Sequence, residues 1–97
     1  MRMRTPNGSE LIRFDRLREM GCIVCLLQGN GVTPPQIHHI DGKTKPGAHL
    51  KTIPLCHSHH QRGGGVDPIA RHPYKARFEA AYGSENYLLE QTNERLG

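Results

Sequence analysis

The sequence predicts a small α+β domain that is too lean to rest on its core alone. Three observations lead there. The chain has 97 residues, 35% of them hydrophobic and 5% aromatic, with no Trp; that is one domain with a modest core, of a size that often needs a staple. Apolar residues recur at helical spacing towards both ends and in short extended runs between them. Three cysteines and seven histidines gather at a few points of the chain.

Taken in order, residues 1–8 read as a loose basic arm, and residues 9–97 as the folded domain. Ser9 can cap a helix reading "ELIRFDRLREM". Leu11, Phe14, Leu17 and Met20 recur on one of its faces, which predicts core packing. Gly21 stands where a helix C-cap glycine belongs. "CIVC" follows, and "LLQGNGVTPP" has the composition of a loop. "QIHHI" reads as a short strand ended by Asp41-Gly42, "KTKPGAH" as a polar loop, and "LKTIPL" as a second strand. Cys56 to Gln61 begins a turn of helix that Gly63, Gly64 and Gly65 stop. Pro73 suits the first position of a third helix, with Tyr74, Phe78 and Tyr82 on one face. Gly83 ends it, and Ser84 can cap the last helix, "ENYLLEQTNERL".

The odd cysteine count argues against a closed disulfide framework. The N-terminus is charged and polar, unlike a signal peptide, and no apolar run approaches the roughly 18 residues of a membrane span. The expectation is a cytoplasmic protein, where clustered Cys and His mean metal more often than disulfide. A net charge of +4 and a pI near 9.3 permit nucleic acid as a partner without demanding it.

Cys22-x-x-Cys25 is a knuckle whose sulfurs can meet on one ion, and Cys56-x-x-His59 is its natural mate, since positions three apart share a face of a turn. Together they offer three thiolates and an imidazole, a set that suits tetrahedral Zn²⁺. A Cys-x-x-Cys alone is a weak sign; with a distant Cys-x-x-His and no other cysteine it is fairly strong. The alternatives are inert buried thiols and a thioredoxin-like redox pair. The redox pair needs a strand before the motif and a helix after, and here a helix precedes and a loop is expected to follow.

Six histidines remain: His38, His39, His49, His57, His60 and His72. Neighbours in a helix point about 100° apart, so His60 faces elsewhere if His59 faces the zinc. His38 and His39 end a strand, where successive side chains alternate between faces. Both can serve one site only if the strand ends or twists there.

The order Cys-x-x-Cys, then His38-His39-Ile40, then Ile53-Pro54-Leu55-Cys56-x-x-His59-His60 resembles the HNH endonucleases, the ββα-metal or His-Me finger class. From Gly21 to Gly83 the chain is similar to the recombination-enhancement (Ref-type) nucleases of temperate phages. Those also carry "IPLC..HH", a glycine-rich turn and a late "FEA.YG", as at Phe78 to Gly83. The resemblance implies a zinc-stabilised ββα-metal fold flanked by N- and C-terminal helices. It implies that His38 and His60 hold a second, catalytic divalent ion (Mg²⁺, Mn²⁺ or Zn²⁺) and that His39 is the general base. Hydrolysis of DNA would then leave 5′-phosphate and 3′-hydroxyl ends. It further implies a role in phage or prophage recombination in a bacterial host, with cutting directed by the host strand-exchange recombinase filament.

The middle Asn of the HNH pattern is missing. Lys51 and Thr52 occupy its place and His49 lies just upstream, so His49 or Thr52 can pin the loop, or the loop is held otherwise. His72 either completes the catalytic metal site or simply precedes the helix at Pro73. His57 competes with His60, but the pattern puts the ligand after the clamp histidine. Ref-type proteins carry a longer basic N-terminal region than the eight or so residues found here.

Lys43, Lys45, Lys51 and Arg62 flank this site and can position a nucleic-acid backbone, each a weak indication alone. Arg2 and Arg4 can add salt-sensitive contacts. The rival reading is a zinc-ribbon-like nucleic-acid-binding module without catalysis. The two differ at His39, which only an enzyme needs.

Overall fold

The computed structural model describes residues 5–97. Arg2 and Arg4 lie outside them. The architecture is α+β, as expected, with one two-stranded antiparallel sheet and four α-helices among the described residues. Helix α1 spans Gly8–Met20, α2 Ile23–Leu27, α3 Lys75–Tyr82 and α4 Glu85–Leu96. Strand β1 is Pro35–His39 and β2 is Thr52–Cys56, joined through a short 3₁₀ turn at Ala48–Leu50.

The cap of α1 is Asn7, not Ser9. The Asn7 side chain accepts from Glu10 N–H at 2.9 Å, and the Glu10 carboxylate accepts from Asn7 N–H at 2.8 Å. A reciprocal capping box of this kind satisfies two free amide donors, which Ser9 inside the helix could not match. The inward face also differs from the expected one. Phe14 and Leu17 are buried, but Leu11 is half-exposed. Arg13 turns inward instead: its guanidinium donates to the Thr52 hydroxyl (3.0 Å), the Thr52 carbonyl (2.7 Å) and the Asn93 side-chain oxygen (2.9 Å). One side chain thereby ties α1 to β2 and α4.

Gly21 ends α1 at φ 88°, and a Cβ there would meet Val32 at 2.8 Å. Directly after it comes α2, which carries the Cys-x-x-Cys knuckle and takes in Leu26 and Leu27, the first two residues of the expected loop. Cys22 caps it, its sulfur accepting from Cys25 N–H at 3.5 Å. The helix runs through the Cys-x-x-Cys motif and ends two residues after Cys25, and a helix rather than a strand precedes it.

In the sheet His38 lies opposite Ile53, and His39 opposite Thr52. The bond from Ile40 N–H to the Lys51 carbonyl (3.0 Å) sets the phase of the ladder. Pro54, paired with Ile37, then falls at a non-hydrogen-bonded position where its missing N–H costs nothing. Every residue of β2 is buried, because α1, α2 and α4 all pack on it. Leu17, Ile23, Val24, Ile53, Leu55, Phe78 and Leu88 form the apolar centre.

After β2, Ser58–Arg62 makes a single wide π-turn, closed by Gly63 N–H on the Ser58 carbonyl at 2.8 Å. Gly63 is required there, since a Cβ would run into the Pro68 carbonyl oxygen and lie 2.6 Å from that of Ser58. The wide turn leaves two carbonyls to the next segment: Arg71 N–H donates to His59 (2.8 Å) and His72 N–H to His60 (3.0 Å). This pairing holds residues 71 and 72 out of helix. Pro73 therefore does not begin α3, which starts at Lys75 after Tyr74. Ser84 caps α4 as expected, accepting from Tyr87 N–H at 3.0 Å.

Phe78 is fully buried, so Phe78→Ala should cost about 3–5 kcal/mol in urea unfolding. Ile12→Ala, on the exposed side of α1, should change stability by less than about 0.5 kcal/mol.

Candidate metal centres

The first centre draws on three segments. Cys22 and Cys25 come from the cap and first turn of α2, Cys56 from the end of β2, and His59 from the wide turn. All four are buried and all three thiols are free. His59 Nδ1 lies 3.7 Å from the sulfurs of Cys22 and Cys25 and 3.1 Å from that of Cys56, and the sulfurs of Cys25 and Cys56 are 3.9 Å apart. A tetrahedron with metal–sulfur bonds of about 2.3 Å and a metal–nitrogen bond of about 2.0 Å has edges of roughly 3.5–3.8 Å. The donors therefore stand close to where one tetrahedral ion wants them.

The electrostatics agree. Burial, with neighbouring Cys56 and Cys25 adding to it, pushes the Cys22 thiol up to about 12. Burial raises Cys56 and holds His59 below its ordinary range. A cation sharing the site would offset that burial and favour the thiolates. This buried group can hold a structural metal ion such as zinc. The other nitrogen of His59, Nε2, is buried without a hydrogen-bond acceptor. The Tyr82 ring stands nearly perpendicular to it, with centroids 5.0 Å apart.

The second group is His38, His60 and His72, each offering one nitrogen, all within 4.8 Å of one another. Their ring centroids are 5.1–5.3 Å apart. The wide turn places His60 here while its neighbour His59 faces the cysteines. The backbone bond from His72 to His60 brings His72 alongside. Burial, then the charges of His38 and His72, hold His60 down at about 4, and His72 is lowered by burial and by Arg71. Lone imidazoles in this condition are neutral near pH 7, the form that binds metal.

Residues outside the sequence expectation hold this group. Gln36, on the same face of β1 as His38, accepts from His60 Nδ1 at 2.7 Å, while its amide nitrogen donates to His57 Nδ1 at 3.1 Å. His57 is thus turned to Gln36 and lies outside the three-histidine group. Glu85 accepts from His38 Nε2 at 2.9 Å and from Arg71 Nε at 2.5 Å. Burial alone would raise this carboxyl, but the bonds from His38 and Arg71 outweigh it, leaving Glu85 below its ordinary value.

His39 points to the other face of the strand, beside Phe14 and His49 (ring centroids 5.9 and 5.1 Å). Yet β1 ends at His39, and a cleft of about 330 Å³ is bordered by His38, His39, Lys43, His60, Gln61 and His72 together. His39 Nε2 meets His49 Nδ1 at 2.9 Å, and His39 Nδ1 is buried with no partner. Burial, then His49 and Lys43, hold His39 down at about 4. The Thr52 hydroxyl donates to the His49 carbonyl at 3.0 Å. His39, His49 and Thr52 are thereby linked in one chain of contacts.

Among the basic residues, Lys43 borders the cleft, while Lys45 and Arg62 are exposed beyond it. Lys51 pairs with Asp41 at 3.2 Å.

Fold and donor sets define a small α+β domain carrying clustered Cys and His groups able to bind metal. Residues 6–97 match the family described as recombination enhancement, RecA-dependent nuclease, and the chain belongs to that family. Membership implies a nuclease of recombination, with nucleic acid as substrate and dependence on RecA. Among the described residues no helix is long and apolar enough to cross a membrane.

Removing metal with a strong chelator should abolish cooperative thermal unfolding, because an ion at a site of this type contributes about 10–16 kcal/mol, as much as a small domain's whole stability. Rebinding of zinc should release protons, measurable in weakly buffered solution. An unchanged melting curve after complete metal removal would contradict the structural assignment.

Proposed function

We propose that the chain is a metal-dependent DNA endonuclease of HNH type, with the ββα-metal arrangement formed by β1, β2 and the wide turn at Ser58–Arg62. The observation that carries this reading is the meeting of His38, His60 and His72 at a cleft that His39 also borders, with His39 Nδ1 unpartnered. In this proposal His38, His60 and His72 hold a second divalent ion. Such an ion would supply Lewis acidity at the scissile phosphate and its departing 3′ oxygen. His39 takes the proton of the attacking water through Nδ1. The contact of Nε2 with His49 suits this, since an Nε2–H donated to His49 leaves Nδ1 bare. In-line hydrolysis then gives 5′-phosphate and 3′-hydroxyl ends. Lys43 is placed to steady the DNA backbone, with Lys45 and Arg62 further out.

An all-imidazole donor set favours borderline ions such as Mn²⁺ or Zn²⁺ over Mg²⁺, which prefers oxygen. Dependence on RecA agrees with a site that has no aromatic platform for gripping bases and relies on a partner to present the strand. A setting in phage or prophage recombination follows from the sequence resemblance.

The test is cleavage of plasmid and single-stranded DNA, with and without a RecA filament, by wild type and His39→Ala. Wild type should cut, better with Mn²⁺ than with Mg²⁺. His39→Ala should keep its zinc and lose about 10²–10⁴-fold in rate, the usual share of a general base. A zinc-replete His39→Ala that cuts as fast as wild type would remove His39 from the chemistry.

A further inference from the structure

We propose that Glu85 is a positioning residue for the catalytic site: by accepting from His38 Nε2 it fixes the tautomer of His38 and leaves Nδ1 as the nitrogen available to an ion. This rests on the reading of His38, His60 and His72 as the holders of the second ion.

Glu85 lies 47 residues from His38 in sequence and arrives on the first turn of α4. It is only 3% exposed, as is His38. A carboxylate at that depth is costly unless its oxygens are paired. Both are: Oε2 takes the His38 proton at 2.9 Å, and Oε1 takes Arg71 Nε at 2.5 Å with Lys75 Nζ at 3.9 Å. Arg71 is itself fixed through its backbone bond to the His59 carbonyl. An apolar side chain could fill the same space without this cost, so packing does not explain the choice.

What a carboxylate adds is one-way hydrogen bonding. It can only accept, so His38 must carry its proton on Nε2. A neutral His38 then has one bare nitrogen, Nδ1. Ligand histidines are commonly held this way by a carboxylate on their far nitrogen, which also makes the ring a better donor to metal. The neighbouring pair repeats the device with the nitrogens exchanged. The oxygen of Gln36 accepts from His60 Nδ1 at 2.7 Å, which leaves Nε2 bare.

The direct test is long-range ¹H–¹⁵N NMR of the zinc-loaded protein, which reads the tautomer of each histidine, joined to calorimetric titration with Mn²⁺. Wild type should show His38 as the Nε2–H tautomer. Glu85→Gln offers one acceptor oxygen to two donors. It should lose that single tautomer and bind the second Mn²⁺ about 10–100-fold more weakly, the usual cost of losing such a partner. Retained zinc and an unchanged circular dichroism spectrum would show that the Cys/His centre survives. An Nδ1–H tautomer in wild type would overturn the proposal, and so would a Glu85→Gln protein with unchanged tautomer and affinity. If Glu85→Gln does not fold, the wild-type tautomer decides the matter: Nε2–H upholds the proposal and Nδ1–H overturns it. A wild type that binds no second ion but shows the Glu85-dependent tautomer would uphold Glu85 as the positioner of His38 while removing the second-ion reading.

Discussion

Three thiols and an imidazole converge in the interior where α2, β2 and the wide turn meet, and the rest of the molecule depends on that convergence. The sheet has only two strands, too few to stand alone in water. Three helices pack against it, and one of them, α2, is little more than a turn. An ion shared at this point would fix the end of β2, and β2 is the strand on which α1, α2 and α4 all pack. Without a cation the same cluster is a liability, since burial raises the Cys22 and Cys56 thiols and lowers His59.

The consequence reaches the second group of histidines through the backbone. With Cys56 and His59 both directed to that centre, the chain between β2 and Gly63 takes the form of a π-turn. Such turns are rare and are found disproportionately at functional sites. Here the turn does two things. It directs His59 and His60 to different partners, and it leaves the carbonyls of both to hold Arg71 and His72. Arg71 then engages Glu85, and Glu85 engages His38. A structural centre and a proposed catalytic one are thus joined by a few covalent and hydrogen bonds, with no long-range relay required.

Much of this was legible from residue types at short spacing. Cys22-x-x-Cys25 and Cys56-x-x-His59 announce one candidate tetrahedral set because each half is local and the chain has no other cysteine. The two strands, Gly21 and Ser84 were legible for the same reason. Less legible were the elements that depend on geometry between segments. The "LLQGNG" stretch looked like a loop to its first residue, but the Cys22 cap draws Ile23–Leu27 into helix. Asn7 outcompeted Ser9 because a reciprocal partner stood three residues on. His72 was ambiguous because its position depends on a carbonyl freed by a π-turn, which sequence period does not reveal. Glu85 looked like an ordinary acidic residue at a helix start, where helix dipoles welcome acids; its burial against His38 arises only from how α4 docks. A Glu directly after a capping Ser gave no hint of it.

The central claim is that the run from Cys56 to His60 serves two metal sites at once. The most direct measurement is anomalous diffraction from crystals of the zinc-loaded protein soaked in Mn²⁺, recorded at both absorption edges. The account predicts two separate peaks: zinc among Cys22, Cys25, Cys56 and His59, and manganese among His38, His60 and His72. A zinc peak alone, or manganese held away from His60, would contradict it.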